Sequence, residues 1–568
     1  MRSRVPACFW ALALSIAVVA AGCLGGTRSG RPRSTPTAAP PAPTAAQPGT
    51  RPQPTPTAAP QGTPRAAASG GTFTRLWADP PTLDPHLTSD TTSAGLVVEI
   101  FSGLVALDTD LKIIPDIAER WDLSGGGAVF TFRMRDNVKF HNGKAVTASD
   151  LKYSFERVLD PRTESPVADT YLNDIVGAQD KLKGQAREVR GVRVIDDRTL
   201  EITIDAPKPY FIAKLTYPTA YAVDRQNVES GSGWTNKPNG TGPFKLTEWT
   251  IGQRIVLERN QYFYRGVAKL DRVRYILSGG VPMTMYENNE IDLTGVGQTD
   301  LDRVLNPNEP LNKQLVRGEP SFEVSYIGFH VAKPPFDDKK VRQAFTLAID
   351  KEAIAREVLS NLAVPAYGVL PPGFPGHNPN IKPLRFDPVL AKRLLAESKY
   401  GGAGMMPRVI MTLPGTGGTV GLDTEAIIEM WKQNLGVAVE IQQTEWATYL
   451  QDLNRQRFQM FGGIGWAADY PDPQDFVDIL FHSKSFNNHG AYNSPQVDRL
   501  LEQARTEQDS DKRIKLYQDA EQMVVDDAVW IPLWYTGERY VLIKPYVKGY
   551  KLTRMIVPKL KDVYIERQ

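Results

Sequence analysis

Few residues of this chain have the types and spacings that do covalent chemistry. Its only cysteines are Cys8 and Cys23, so everything after Cys23 lacks a thiol nucleophile, a CxxC redox pair, a thiolate zinc site and a disulfide. The six histidines are scattered, and His482 and His489 share a Ser/Asn-rich loop with no third metal ligand evident. Gly415-Thr-Gly-Gly-Thr-Val-Gly421 looks like a dinucleotide loop, but Val420 stands where that motif needs glycine, so the stretch reads as a turn. GxSxG, HExxH and GxxxxGK[ST] are all missing. Each absence weakens the case for an enzyme, and the expectation is no catalytic residue, no cofactor and no metal.

One cysteine does sit in a reactive context. Arg2 and Arg4 precede an apolar run from Phe9 to Ala21, the layout of a secretory signal peptide over residues 1–22. The run is shorter than the ~20 residues that span a bilayer. Ala20-Ala21-Gly22-Cys23 resembles a bacterial lipobox, which makes Cys23 the expected lipidation site and the mature N-terminus. Residues 23–69 are rich in Pro, Thr and Ala and repeat themselves: Arg31-Pro-Arg-Ser-Thr-Pro-Thr-Ala-Ala-Pro40 recurs as Arg51-Pro-Gln-Pro-Thr-Pro-Thr-Ala-Ala-Pro60. Such a stretch has too little apolar surface to fold and reads as a tether. The expected location is extracytoplasmic, at a membrane through the lipid.

Charge narrows the partners. The formal net charge is +2, but residues 1–69 hold seven Arg and no acidic residue. Removing those seven from 66 basic side chains leaves 59 against 64 acidic ones. Nothing in that balance points to nucleic acid.

From residue 70 the chain alternates strand and helix signals. Phe130, Phe132 and Met134 alternate with Thr131 and Arg133, a half-buried strand. Asn142-Gly143 marks a turn, and Thr147 with Asp150 forms a capping box before a helix that Asp160-Pro161 stops. Val192 to Val194 and Leu200 to Ile204 suggest a hairpin. Later come a strand from Phe322 to Val331, a helix from Asp338, and a helix capped by Thr424 that ends at Leu435 with Gly436 behind it. Strands from Val437 to Ile441 and Phe458 to Ile464 flank a short helix from Trp446 to Leu453, and Val529 to Tyr535 forms a last apolar strand. The fold class is α/β, of mixed α+β character.

Five ordered segments resemble the family 5 extracellular solute-binding proteins, the peptide, dipeptide and nickel receptors of ABC importers. They are Thr82-Leu-Asp-Pro85, Ala118-Glu-Arg-Trp121 through Asp150, Gly240-Thr-Gly-Pro-Phe-Lys-Leu246, Val341 through Asp350, and Gly465-Trp-Ala-Ala-Asp-Tyr-Pro-Asp-Pro473. Asn142 stands where many members have Asp. The resemblance implies a two-lobed periplasmic-binding-protein type II fold with a hinge. Lobe I would take residues 70–88, 206–322 and 535–568, with an extra subdomain at 89–205, and lobe II residues 323–534. A peptide enclosed between the lobes would pair its backbone with extended segments at Ala78 to Pro80, including Asp79, and at Trp466, Ala467 and Ala468. Trp446 and Trp466 would line side-chain pockets, and Asp469 would meet the ligand amine. The implied partners are a separate permease and ATPase, with the receptor itself a monomer. Arg455 and Arg457 lie near this region, but neither falls on a family position that would bind a ligand carboxylate. A nickel chelate, a sugar or another small organic stays open as the ligand, because fold does not settle it.

Overall fold

In the computed structural model, residues 70–566 are described; Cys23, the apolar run before it and the Pro/Thr/Ala-rich stretch lie outside them. Two large sheets carry the architecture. The first has seven strands in the order Leu315–Gly318, Arg539–Ile543, Leu293–Gly295, Thr72–Leu76, Arg272–Ile276, Arg254–Arg259 and Phe244–Thr250. The second has six, Ala363–Pro365, Trp530–Thr536, Glu323–Phe329, Met460–Ala467, Val409–Pro414 and Val439–Thr444. A four-stranded antiparallel sheet, Ala118–Ser124, Val129–Met134, Thr199–Thr203 and Val192–Asp196, forms the extra subdomain. Between the two large sheets the chain crosses twice, from Gly318 to Glu323 and from Thr536 to Arg539. Two short crossings and no shared sheet are the makings of a hinge.

Local chemistry explains these elements. Phe130, Phe132 and Met134 are at most 3% exposed, and Phe130 and Phe132 pair across to Ile202 and Leu200, which are also buried; the period-two pattern thus becomes one apolar sheet face. The capping box forms, with Thr147 N donating to Asp150 Oδ2 at 2.9 Å and Asp150 N to Thr147 Oγ1 at 3.4 Å. Lys144 Nζ then ties Asp150 to Asp224 at 3.0 and 2.9 Å. In the helix expected to start at Thr424 the structure differs: it spans Leu422–Leu435, with Gly421 at its N-cap. Thr424 falls inside the first turn instead. The C-terminal end is as read, with Gly436 in the left-handed region at φ 73°.

Four of the five segments are structural joints. His141 clamps the Gly240–Leu246 segment: its Nδ1 accepts from Gly240 N at 3.2 Å, so Nε2 is the protonated nitrogen and donates to the Gly242 carbonyl at 3.2 Å. Burial lowers this imidazole to about 4 and keeps it neutral, as the one-donor, one-acceptor arrangement requires. Gly240 and Gly242 lie so close to the helix end Glu99–Ile100 that a Cβ would stand 2.1 and 2.6 Å from backbone oxygens; no side chain fits there. Asp84 takes both Nη atoms of Arg157, at 3.0 and 2.5 Å, in a buried fork. Arg342 donates to the Phe336 and Asp527 carbonyls at 2.7 and 2.9 Å. These segments brace the parts of each lobe internally and do not line the cavity between the lobes.

Candidate functional site: a closed cavity between the lobes

A cavity of about 1040 Å³ lies between the two large sheets, at the upper end of ligand-pocket sizes. Its lobe II wall is the end of strand Met460–Ala467. Along one side this strand pairs with Glu323–Phe329, residue Ala467 opposite Glu323 and Gly465 opposite Ser325. On the other side Val409–Pro414 reaches only Met460 and Phe461. From Gly463 to Ala467 that edge therefore has no strand partner, and Ile464 to Asp469 face the cavity. An open edge offers unpaired N–H and C=O groups at alternate residues to any extended chain beside it.

Asp469 stands at the end of this edge. Its carboxylate accepts a hydrogen bond from Tyr171 on helix Ala168–Leu172 of the subdomain, which bridges the two lobes. Asn487 Nδ2 donates to Thr170 Oγ1 at 3.2 Å beside it. Burial pushes Asp469 up to about 7, against a lowering pull from the Tyr171 hydroxyl. Directly behind it lies Asp475, fully buried, whose Oδ2 accepts from Asp469 N at 2.9 Å. Burial first, then the Asp469 charge, raises Asp475 well above the carboxylate range. Asp469 lines the cavity, while Asp475 lies behind it and outside the lining.

Of the other expected residues, Trp466, Ala467, Ala468, Trp446 and Ala78 all line the cavity with Asp469. Trp446 stacks on Tyr449 at 6.0 Å, and Trp466 has a buried indole N–H with no acceptor. Asp79 does not line it. Its carboxylate turns to the hairpin between the strands Phe244–Thr250 and Arg254–Arg259, accepting from Trp249 Nε1 at 2.9 Å and from Gly252 N. Arg457 pairs with Asp452 on the surface at 2.6 Å, and neither it nor Arg455 reaches the cavity.

Sequence reasoning missed several wall residues. Among the described residues, half of the buried side-chain polar atoms without a partner belong to this cavity: Arg75 Nε, Glu99 Oε2, Trp466 Nε1, His489 Nδ1, Thr536 Oγ1 and Arg539 Nη2. Nothing in the local sequence tags Tyr171, Asp475 or Arg539; each becomes relevant only when distant segments meet.

Residues 112–488 match the family described as bacterial extracellular solute-binding proteins, family 5 Middle. The periplasmic oligopeptide-binding protein OppA of Salmonella typhimurium is 34% identical over 490 residues, covering 82% of this chain and 87% of the relative. The chain belongs to family 5 of the extracellular solute-binding proteins. The fold agrees: the murein tripeptide binding protein MppA of Escherichia coli superposes with a TM-score of 0.79 at 28% identity, over 88% of this chain and 100% of that one. An OppA of Haemophilus influenzae, in complex with RPPGFSPFR, gives 0.78 at 25% identity over 88% and 100%. The unliganded, open form of MppA gives only 0.62 at the same 28% identity, over 88% and 98%. With identity equal, the difference is one of lobe arrangement, and this family 5 protein is in its closed form.

Proposed function

We propose that this protein captures peptides in the interlobe cavity and hands them to the permease and ATPase of an ABC importer, acting by binding alone. The free strand edge from Gly463 to Ala467, ending in the acid pair Asp469 and Asp475, is the observation that carries this reading. An edge pairs with any peptide backbone regardless of sequence, and a buried carboxylate at its end meets the one charge every free N-terminus has. The relatives' ligands, oligopeptides and murein tripeptide, support the same class.

Lobe I is assigned residues 70–88, 206–322 and 535–568, the subdomain 89–205 and lobe II 323–534, because each sheet draws its strands from one of these sets, except that Tyr535 and Thr536 complete strand Trp530–Thr536 of the lobe II sheet. Ligand makes contacts in the closed form that the open form lacks, so it shifts the population toward closure. Small-angle scattering then records a smaller radius of gyration under saturating peptide. An unchanged radius with calorimetrically confirmed binding would sink the hinge mechanism.

Asp469 gives the binding a pH dependence. Its carboxyl, near 7 in the empty site, must be ionised to pair with an ammonium group, so binding below that value releases a proton. Affinity is therefore greatest at about pH 7 to 8, where the carboxyl is ionised and the peptide amine still protonated, and falls toward pH 5 by up to roughly tenfold per unit for one proton. Calorimetry at pH 6 in buffers of different ionisation enthalpy measures the release directly; no proton released means that Asp469 does not meet a cation.

The protein is placed outside the cytoplasm and held by lipid on Cys23, on the basis of the lipobox-like Ala20-Ala21-Gly22-Cys23. Cys23→Ser is expected to move it from the membrane to the soluble fraction. Mass spectrometry of the mature chain checks the same point: a mature N-terminus other than Cys23, without acyl mass, removes the anchor.

A further inference from the structure

Among the described residues, five acids line the cavity: Asp90, Glu99, Glu323, Asp469 and Glu538. Four of them already have partners. Asp90 caps helix Thr91–Ile100 by accepting from Thr92 N and Ser93 N at 3.0 Å. Glu99 accepts from the Lys559 and Leu560 main-chain N–H groups at 2.9 and 3.0 Å. Glu538 accepts from the Tyr540 hydroxyl at 2.6 Å and pairs with Arg317 at 3.4 Å, and Asp469 accepts from Tyr171. Glu323 is the exception: among the described residues its carboxyl forms no ion pair and no hydrogen bond, although the residue is only 8% exposed. Burial pushes it up to about 7, and the attraction of Arg539 is the only opposing pull.

The strand register gives that carboxyl a direction. Glu323 sits opposite Ala467 and Ser325 opposite Gly465, so Glu323, Gly465 and Ala467 share one face of the sheet. Glu323 Oε1 lies 3.3 Å from where a Cβ on Gly465 would stand. The carboxyl therefore lies over the backbone of strand Met460–Ala467, where a side chain at position 465 would block it, and reaches toward the free edge beyond. Adjacent strands are about 4.8 Å apart, so a ligand strand on that edge runs roughly 10 Å from the Glu323 strand. Two long side chains on the shared face close that gap.

We propose that Glu323 selects a lysine or arginine side chain of the bound peptide, at a residue whose side chain points to this face of the sheet. The inference rests on the peptide reading and deepens it by naming a ligand class. An ammonium or guanidinium group brings the carboxylate the hydrogen-bond donors it lacks. Asp469 does not serve the same group, because it lies beyond the end of the strand and meets the amine there. A peptide running back from Asp469 along the edge, at about 3.4 Å per residue, brings its second to fourth residues beside Gly465. Successive side chains of an extended chain face opposite ways, so the preference for a basic residue falls on one face and skips the adjacent positions.

The test is calorimetry of tetra-alanine carrying one lysine at position two, three or four, or norleucine there, which keeps most of the stem and lacks the charge. Each peptide is titrated into wild type and Glu323→Gln. At the favoured position wild type is expected to bind the lysine peptide about tenfold more tightly than its norleucine counterpart. The loss stays below that of a fixed charge pair, because Glu323 takes up a proton when no cation is present. In Glu323→Gln the ratio approaches one. Because the ratio is taken within each protein, a general weakening of the variant's fold cancels out of it. A wild-type ratio near one at every position, an equal ratio at all three, or a ratio unchanged in Glu323→Gln overturns the assignment while leaving peptide capture intact. If wild type binds none of the six peptides, the peptide reading fails and this inference falls with it.

Discussion

Replacing Asp469 by Ala weakens binding of a free-amine peptide by tens-fold or more. A protonated amine enclosed between lobes needs a counter-charge, and removing one partner of such a pair costs about 2 to 5 kcal/mol. The structure adds why Asp469, rather than its neighbour, is the residue to change. It faces the cavity at the end of the free strand edge, whereas Asp475 lies behind it and bonds its main-chain N–H at 2.9 Å. Asp469→Asn is the sharper variant, because it keeps an acceptor for Tyr171 and removes only the charge. N-acetylation of the peptide separates the cases. Wild type loses affinity on acetylation, while either variant, already without the ion pair, loses little further. Equal affinity of Asp469→Ala and wild type for the free-amine peptide would mean that the amine goes elsewhere.

Arg513→Ala destabilises the protein by about 3 to 5 kcal/mol, the cost of leaving a buried charge unpaired. Arg513, on helix Ser510–Asp526, forks onto Asp472 with contacts of 2.9 and 2.6 Å, and the two side chains are only 9% and 14% exposed. Asp472 in turn caps the turn Pro473–Asp475 by accepting from Gln474 N at 2.9 Å. The pair therefore fixes the loop that carries both acids of the site. Urea unfolding of Arg513→Ala, Asp472→Ala and the double variant tests this. The double variant should be less destabilised than the sum of the singles, since it removes both charges. Additive effects would show that the two groups are not coupled. Peptide affinity should fall in Arg513→Ala as well, although neither residue lines the cavity.

Much of the fold was legible because it rests on local rules. The capping box at Thr147, the Gly436 terminus and the alternation from Phe130 to Met134 are set by neighbours within a few residues, and the structure has all three. The N-terminus of helix Leu422–Leu435 was misplaced by three residues, because Gly421 and Thr424 both suit an N-cap and the choice depends on how the preceding loop returns from its strand. Asp79 shows the limit more clearly. It follows directly upon cavity-lining Ala78, yet its carboxylate is claimed by Trp249, 170 positions away in the chain. Which way a loop side chain turns depends on what lies beside it in space.

The sequence by itself determined the class of molecule: an α/β chain without thiols after Cys23, with an N-terminal stretch that reads as a secretory leader and tether and the Trp466-to-Tyr470 stretch that resembles peptide receptors. These depend on composition, local periodicity and motifs that stay contiguous. Only the tertiary structure decided the site's electrostatics. Tyr171 meets Asp469 across 298 positions, and Arg75 and Tyr550 across 475. It also decided that strand Met460–Ala467 leaves one edge open, since that depends on where Val409–Pro414 stops pairing. A charge's worth in a cavity is set by burial and by the company of other charges. Both are properties of the closed lobes and not of any one segment.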